Sequence, residues 1–136
     1  MAESLVVQSK VRELFKELDC NTGSDAVEQL NGQVSYTDIK NYIKDKWGEV
    51  NSATITDQIQ VLTVNHNSRI HYPENHKPRL TNTNSPYDLL YTTGRGQVVK
   101  YDIDKHGIWE IYKDGNGKLG IRIFEKAPTV NTFLFA

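Results

Sequence analysis

A lone cysteine, Cys20, in 136 residues excludes an intrachain disulfide and a cysteine-built zinc cage. That usage fits a reducing compartment, and cytoplasmic residence is the expectation. Long apolar runs are also missing. The opening MAESLVVQSKVRELF breaks its apolar residues with charge, so it lacks the core of a secretory signal, and no stretch approaches membrane-spanning length. No membrane partner is expected. Strong charge of either sign is absent as well: 16 Lys and Arg against 17 Asp and Glu leave a net charge of -1, which argues against wholesale wrapping of nucleic acid. There is no G-x-x-x-x-G-K-[ST] phosphate loop, no G-x-S-x-G elbow and no C-x-x-C. Enzyme activity is therefore the weaker class of function, and no cofactor is expected.

What remains is an ordinary globular composition, 38% hydrophobic, 24% charged and 10% aromatic, in a chain of single-domain length. Residues 4–18, SLVVQSKVRELFKEL, space Val7, Val11, Leu14, Phe15 and Leu18 at three- and four-residue intervals, which predicts an amphipathic first helix. Residues 19–33 carry turn chemistry at both ends, with room for a short helical turn over 25–30. Ser35, with Asp38 three residues on, makes a capping-box start for a second helix. Its buried face would be Tyr36, Ile39, Tyr42 or Ile43, and Trp47, and Gly48 would stop it. Ser52 is the expected cap of a third helix running to Asn65 and burying Ile55, Ile59 and Leu62.

Beyond it, Asn65 to Pro86 holds three prolines and almost no periodicity, so a long loop or arm is expected. Two hairpins follow. YDLLYTTGRGQVVKYD turns at Gly94-Arg95-Gly96 with arginine at the tip, and IWEIYKDGNGKLGIRIF alternates on both sides of Asp114-Gly115-Asn116-Gly117. Alternation puts Trp109 and Tyr112 on opposite faces. One α+β domain over 1–136 accounts for this order. It comprises an N-terminal helix and connection (1–34), a two-helix unit with arm and wing (35–101), a second hairpin (102–126) and an apolar tail (127–136).

The charge is unevenly placed. Residues 1–50 carry six Lys and Arg against nine Asp and Glu, whereas 65–101 carry Arg69, Lys77, Arg79, Arg95 and Lys100 against Glu74 and Asp88 alone. A locally basic segment of this kind is an electrostatic footprint for a polyanion.

The segments VSYTDIKNYIKDKW, NSATITDQIQVLTVN and YDLLYTTGRGQVVKYD together resemble the winged helix-turn-helix modules found alone or attached to bacterial restriction endonucleases, some of which read modified DNA. The likeness covers about half the chain. The long arm and the second hairpin depart from a minimal winged helix. The resemblance implies a three-helix core plus a β-hairpin wing, with an additional C-terminal β-hairpin, acting on double-stranded DNA in a restriction or defence setting. In such a unit the second helix lies in the major groove. That places Thr56, Gln60 and Thr63 in the groove, with Gln60 able to make paired hydrogen bonds to adenine and Thr56 and Thr63 able to bond a base edge, pack against a methyl group or contact phosphate. Arg95 would meet a phosphate or a narrow minor groove, Arg69, Lys77 and Arg79 would hold the backbone along the arm, and Asn67 and Lys100 are further expected DNA contacts.

Plainer readings stand beside these. Thr56, Gln60 and Thr63 also suit a solvated helix face, and Arg95 a tolerant turn. A winged helix can serve as a protein-docking or dimerisation scaffold, here with the tail and second hairpin making a homodimer or contacting a nuclease partner. His66, His71 and His76, with Glu74 nearby, raise a metal-dependent nuclease. However, five-residue spacing among prolines fits neither a helix face nor an H-E-x-x-H motif, and no metal is assigned. His106 is expected in the connection between the hairpins.

Overall fold

The computed structural model describes residues 7–14 and 33–127. Residues 7–14 are helical (α1) and bury Val7, Val11 and Leu14, three of the five apolar positions expected there; Phe15 and Leu18 lie outside the described residues. So do the possible turn at 25–30 and the tail from residue 128.

A two-residue strand β1 (Val34–Ser35) runs directly into α2 (Tyr36–Trp47). The capping box forms as expected: Asp38 N–H donates to Ser35 Oγ at 3.0 Å, and Ser35 N–H donates to Asp38 Oδ2 at 3.1 Å. Ile39 and Ile43 are fully buried, but Trp47 is not a core residue. It sits in the last turn, 39% exposed, edge-on to Tyr42 and with Lys10 Nζ 5.1 Å above its ring. The cap of α3 (Ser52–Leu62) is Asn51 and not Ser52: its Oδ1 accepts from Ala53 N–H at 2.8 Å and Thr54 N–H at 3.2 Å. A residue further back suits this cap, because the acceptor must reach the second and third amides of the helix.

The remaining strands are β2 (Arg79–Leu80), β3 (Leu90–Gly94), β4 (Gln97–Lys100), β5 (Ile108–Lys113) and β6 (Leu119–Glu125), with a one-turn helix α4 (Ile103–His106) before β5. They make two antiparallel three-stranded sheets, ordered β1-β4-β3 and β2-β5-β6. The fold class is therefore α+β. Both expected hairpins are present, and β1 ties the first of them to the start of α2 through Val34↔Val98 and Ser35↔Gln97. Val7, Val11, Ile39, Ile43, Ile55, Ile59, Leu62, Leu90 and Val98 close one core beneath the three long helices and the first sheet. No helix among the described residues is long and apolar enough to cross a membrane.

The segment expected to be an irregular arm is a packed element. Asn67–His71 and Pro73–Asn75 are short 3-10 helices, and β2 follows them. They lie along α3 because polar side chains hold them there. Asn75, fully buried, donates to Val61 O at 3.0 Å and Arg69 O at 3.1 Å, and Gln8 Nε2 of α1 donates to Gln58 Oε1 at 2.6 Å and Glu74 Oε2 at 2.8 Å.

Candidate functional site

A ladder of contacts places the β3–β4 hairpin beside α2 and α3. Tyr36 N–H, at the start of α2, donates to Gly96 O in the hairpin turn at 2.9 Å. On the outer side of β3, the Asn65 side chain acts like a short strand, donating to Thr92 O at 3.0 Å and accepting from Thr92 N–H at 2.8 Å. Between these fixed points opens a groove of about 650 Å³, lined by Tyr36, Gln60, His66 and the hairpin residues Thr92 to Gly96.

Its chemistry is weighted towards donation. His66 Nδ1 accepts from Ser68 N–H at 3.1 Å, which caps the first 3-10 helix and leaves the ring hydrogen on Nε2. Burial lowers the His66 pKa below the ordinary imidazole value and raises that of Tyr36, so both stay neutral at pH 7. Thr92 Oγ1 lies 2.7 Å from Gly94 O and 2.9 Å from Gln97 O, so its proton serves the hairpin itself. Arg95 is exposed at the tip and has no ion-pair or hydrogen-bond partner among the described residues.

Helix α3 turns a narrow stripe to solvent: Ala53 is exposed, Thr56 and Gln60 are half-buried, and Asp57 is at its edge. Thr56 and Gln60 thus share a face, as expected. The paired contact of Gln60 to adenine is corrected, however. Tyr72 Oη lies 3.1 Å from Asp57 Oδ1 and 3.3 Å from Gln60 Oε1, so one end of the amide is already in contact. Burial, and then the hydrogen bond to Asp57, push the Tyr72 hydroxyl up to about 12, keeping it a neutral donor.

Three other expected contacts lie inside the fold. Thr63 is fully buried, and its Oγ1 donates back to Ile59 O at 2.6 Å, so it reads no base. Arg69 is fully buried too: Nη2 donates to Val61 O at 2.9 Å, Tyr87 O at 2.7 Å and Asp88 Oδ1 at 2.9 Å. Arg79 shares Asp88, at 2.7 Å, and donates to Asn75 Oδ1 at 2.8 Å. Both arginines were assigned to a DNA backbone; a guanidinium committed to a buried carboxylate cannot also neutralise a phosphate. Burial draws Arg69 down to about 10, against the pull of Asp88, so it remains charged at pH 7.

Asn67 and Lys77 are exposed on the packed segment, and Lys100 is exposed at the base of the β3–β4 hairpin, opposite Leu90 and away from the tip. His71 and His76 are exposed and His66 half-buried, and among the described residues no group of three His, Cys, Asp or Glu could hold a metal ion. Sequence reasoning missed Tyr36 and His66 as groove residues. Tyr36 packs against the core as expected and also lines the groove, and its place beside the hairpin follows from the β1–β4 pairing, which two residues of sequence barely signal.

His66 and His106 both sit below the ordinary imidazole pKa through burial, opposed at His106 by Asp102. A depressed histidine gives stability that is full above the unfolded pKa of about 6.5 and is lost as pH falls through the folded value, since the unfolded chain takes up protons first. Urea unfolding at about pH 7.5 and about pH 5.5 should therefore show lower stability in acid. His66→Asn, which keeps a capping oxygen, should show a smaller drop; an equal drop would mean that His66 contributes none of it.

An α+β protein with a donor-lined groove between a helix and a hairpin tip is the class that fold and site define. Residues 22–99 match a family described as a domain of unknown function, DUF7669, and the chain belongs to that family. No curated protein and no solved structure matches the chain. The family match takes in the groove and the Asp88 cluster and stops before β5 and β6.

Proposed function

We propose that the chain is a winged-helix module that binds double-stranded DNA through the groove between Gln60 and Arg95. The observation that carries this reading is the convergence of Tyr36, Gln60, His66 and the wing on one open cavity beside the exposed stripe of α3. The element order supports it as well: a first helix, a two-helix unit with a short turn, and a hairpin tied back to that unit by β1. Arg95 supplies the phosphate contact, and the Nε2–H of His66 and the free end of the Gln60 amide face acceptor atoms of a base edge or backbone. A modified base in a restriction or defence setting is the substrate class consistent with the resemblance.

In an NMR titration with duplex DNA, amide signals of Gln60, His66, Thr93 and Arg95 should shift together while those of β5 and β6 stay in place. Gln60→Ala should cost about 1 kcal/mol, the worth of one hydrogen bond rather than of a bidentate pair. Shifts that leave the groove unmoved would end this reading.

A protein-docking scaffold is the second reading. The observation favouring it is that Pro73–Asn75 and the 3-10 turn before it cover one side of α3, with Asp57 beside the exposed stripe, which narrows what the helix can insert into a groove.

A further inference from the structure

The two sheets treat their edges differently. The outer edge of β3 is closed: Leu90 O accepts from Val64 N–H at 2.8 Å, and Asn65 takes both backbone groups of Thr92. Strands β1 and β2 are two residues each, too short to recruit a partner. Strand β6 is seven residues long and, among the described residues, has no strand paired on its far side. It also carries Ile123 and Phe124, 39% and 55% exposed. An apolar unpaired edge of that length is a surface proteins ordinarily close.

The backbone frame of β6 can be read from the hairpin. Asp114 N–H donates to Lys118 O at 2.9 Å, and in an antiparallel ladder bonded pairs alternate. The pairs Tyr112↔Gly120 and Glu110↔Arg122 therefore bond across β5–β6, whereas Leu119, Ile121 and Ile123 turn their N–H and C=O groups outwards. The other side of β5 agrees: Thr81 N–H donates to Trp109 O at 2.9 Å, so Trp109, the partner of Ile123, points its backbone away from β6.

We infer that β6 pairs antiparallel with β6 of a second copy of this chain, centred on Ile121. A twofold axis normal to the sheet keeps each face on its own side, so residues of like parity meet. Centring on Ile121 sets Leu119 against Ile123 and Ile121 against itself, and these are the residues whose backbone groups point outwards. On the other face, Gly120 meets Arg122 and Lys118 meets Phe124, an ammonium against an aromatic ring. No like charges oppose each other. Centring on Arg122 would bond the same outward groups but stack arginine on arginine and lysine on lysine at Lys118 and Lys126, and centring on Ile123 would set Glu125 against Ile121. One register satisfies hydrogen bonding, apolar contact and charge together, and it needs a partner with this same strand.

The test uses the full chain over a range of protein concentrations, by light scattering and hydrogen exchange. The mass should rise from one chain to two. The Leu119, Ile121 and Ile123 amides should gain protection as it does, while Gly120 and Arg122 are protected at every concentration. Ile121→Pro removes one outward donor and leaves the bonds to β5, so the variant should stay a monomer with its Gly120 and Arg122 protection intact. Should that proline unfold the hairpin, Ile123→Lys, which sets a charge against the partner's Leu119, should also give a monomer. A chain that is monomeric throughout, a dimer that persists in a folded variant, or edge amides protected equally at all concentrations would each overturn the inference; the last would mean that another segment of the same chain fills the edge. The experiment contains no DNA, so its outcome is separate from that of the groove.

Discussion

Replacing Asp88 by alanine should destabilise the fold by about 3 to 5 kcal/mol, the cost of removing one partner from a buried ion pair. Its carboxylate holds two guanidinium groups, at 2.9 Å and 2.7 Å, whose side chains are 0% and 16% exposed. Without it, two cations remain side by side, repelling each other, with Arg69 out of reach of water. Arg69 already keeps Nε and Nη1 buried without partners, so it has no spare contact to fall back on. Because Arg69 also donates to Val61 O and Tyr87 O, the cluster joins α3, the 3-10 segment and the chain entering β3. Urea unfolding followed by circular dichroism measures the loss. Arg69→Met made in the Asp88→Ala background should recover part of it, since the two residues share one interaction. A loss below about 1 kcal/mol would place the cluster among surface pairs and remove it as the latch on the packed segment.

Gly107→Ala should have the next largest effect. Gly107 has φ +80, a conformation costly for a residue with a side chain, and an added Cβ would meet Glu125 O at 2.5 Å and Ala127 N at 3.0 Å. Those are backbone atoms, which cannot rotate away. The dihedral alone costs about 1 to 3 kcal/mol, and the clash adds to it. The strain falls where α4 delivers the chain into β5 and where β6 ends, so the second sheet should open first. Hydrogen exchange should show faster exchange in β5 and β6 with the groove still protected. Uniform loss of protection would mean that the two sheets unfold as a single unit.

Short-range signals in the sequence were the ones that translated into structure. Ser35 and Asp38 meet within one helical turn, and the hairpins at Gly94-Arg95-Gly96 and Asp114 to Gly117 are set by local turn chemistry, so both were legible. The segment from Asn65 to Pro86 was read as a basic arm because its prolines break periodicity and its arginines count as charge. Part of what pins it is a carboxylate 19 residues from Arg69, a pairing that no local pattern discloses. Thr63 failed for a related reason: it lies past the last turn of α3, where the backbone leaves the helix and the side chain turns back onto Ile59. Arg95 kept its place because nothing in a two-residue turn competes for it. Gln60 lies on the expected face, but the contact with Tyr72, 12 residues on, changes what it can present.

The groove between α3 and the β3–β4 hairpin is proposed to bind duplex DNA. The most direct test is a fluorescence-anisotropy titration of the full chain and of Arg95→Ala against duplex pools, unmethylated and adenine- or cytosine-methylated, at two salt concentrations. Binding by the native chain should weaken as salt rises, and Arg95→Ala should bind less tightly and lower the slope of log affinity against log salt by about 1. No binding at the lower salt, or an affinity and slope unchanged in Arg95→Ala, would contradict the account.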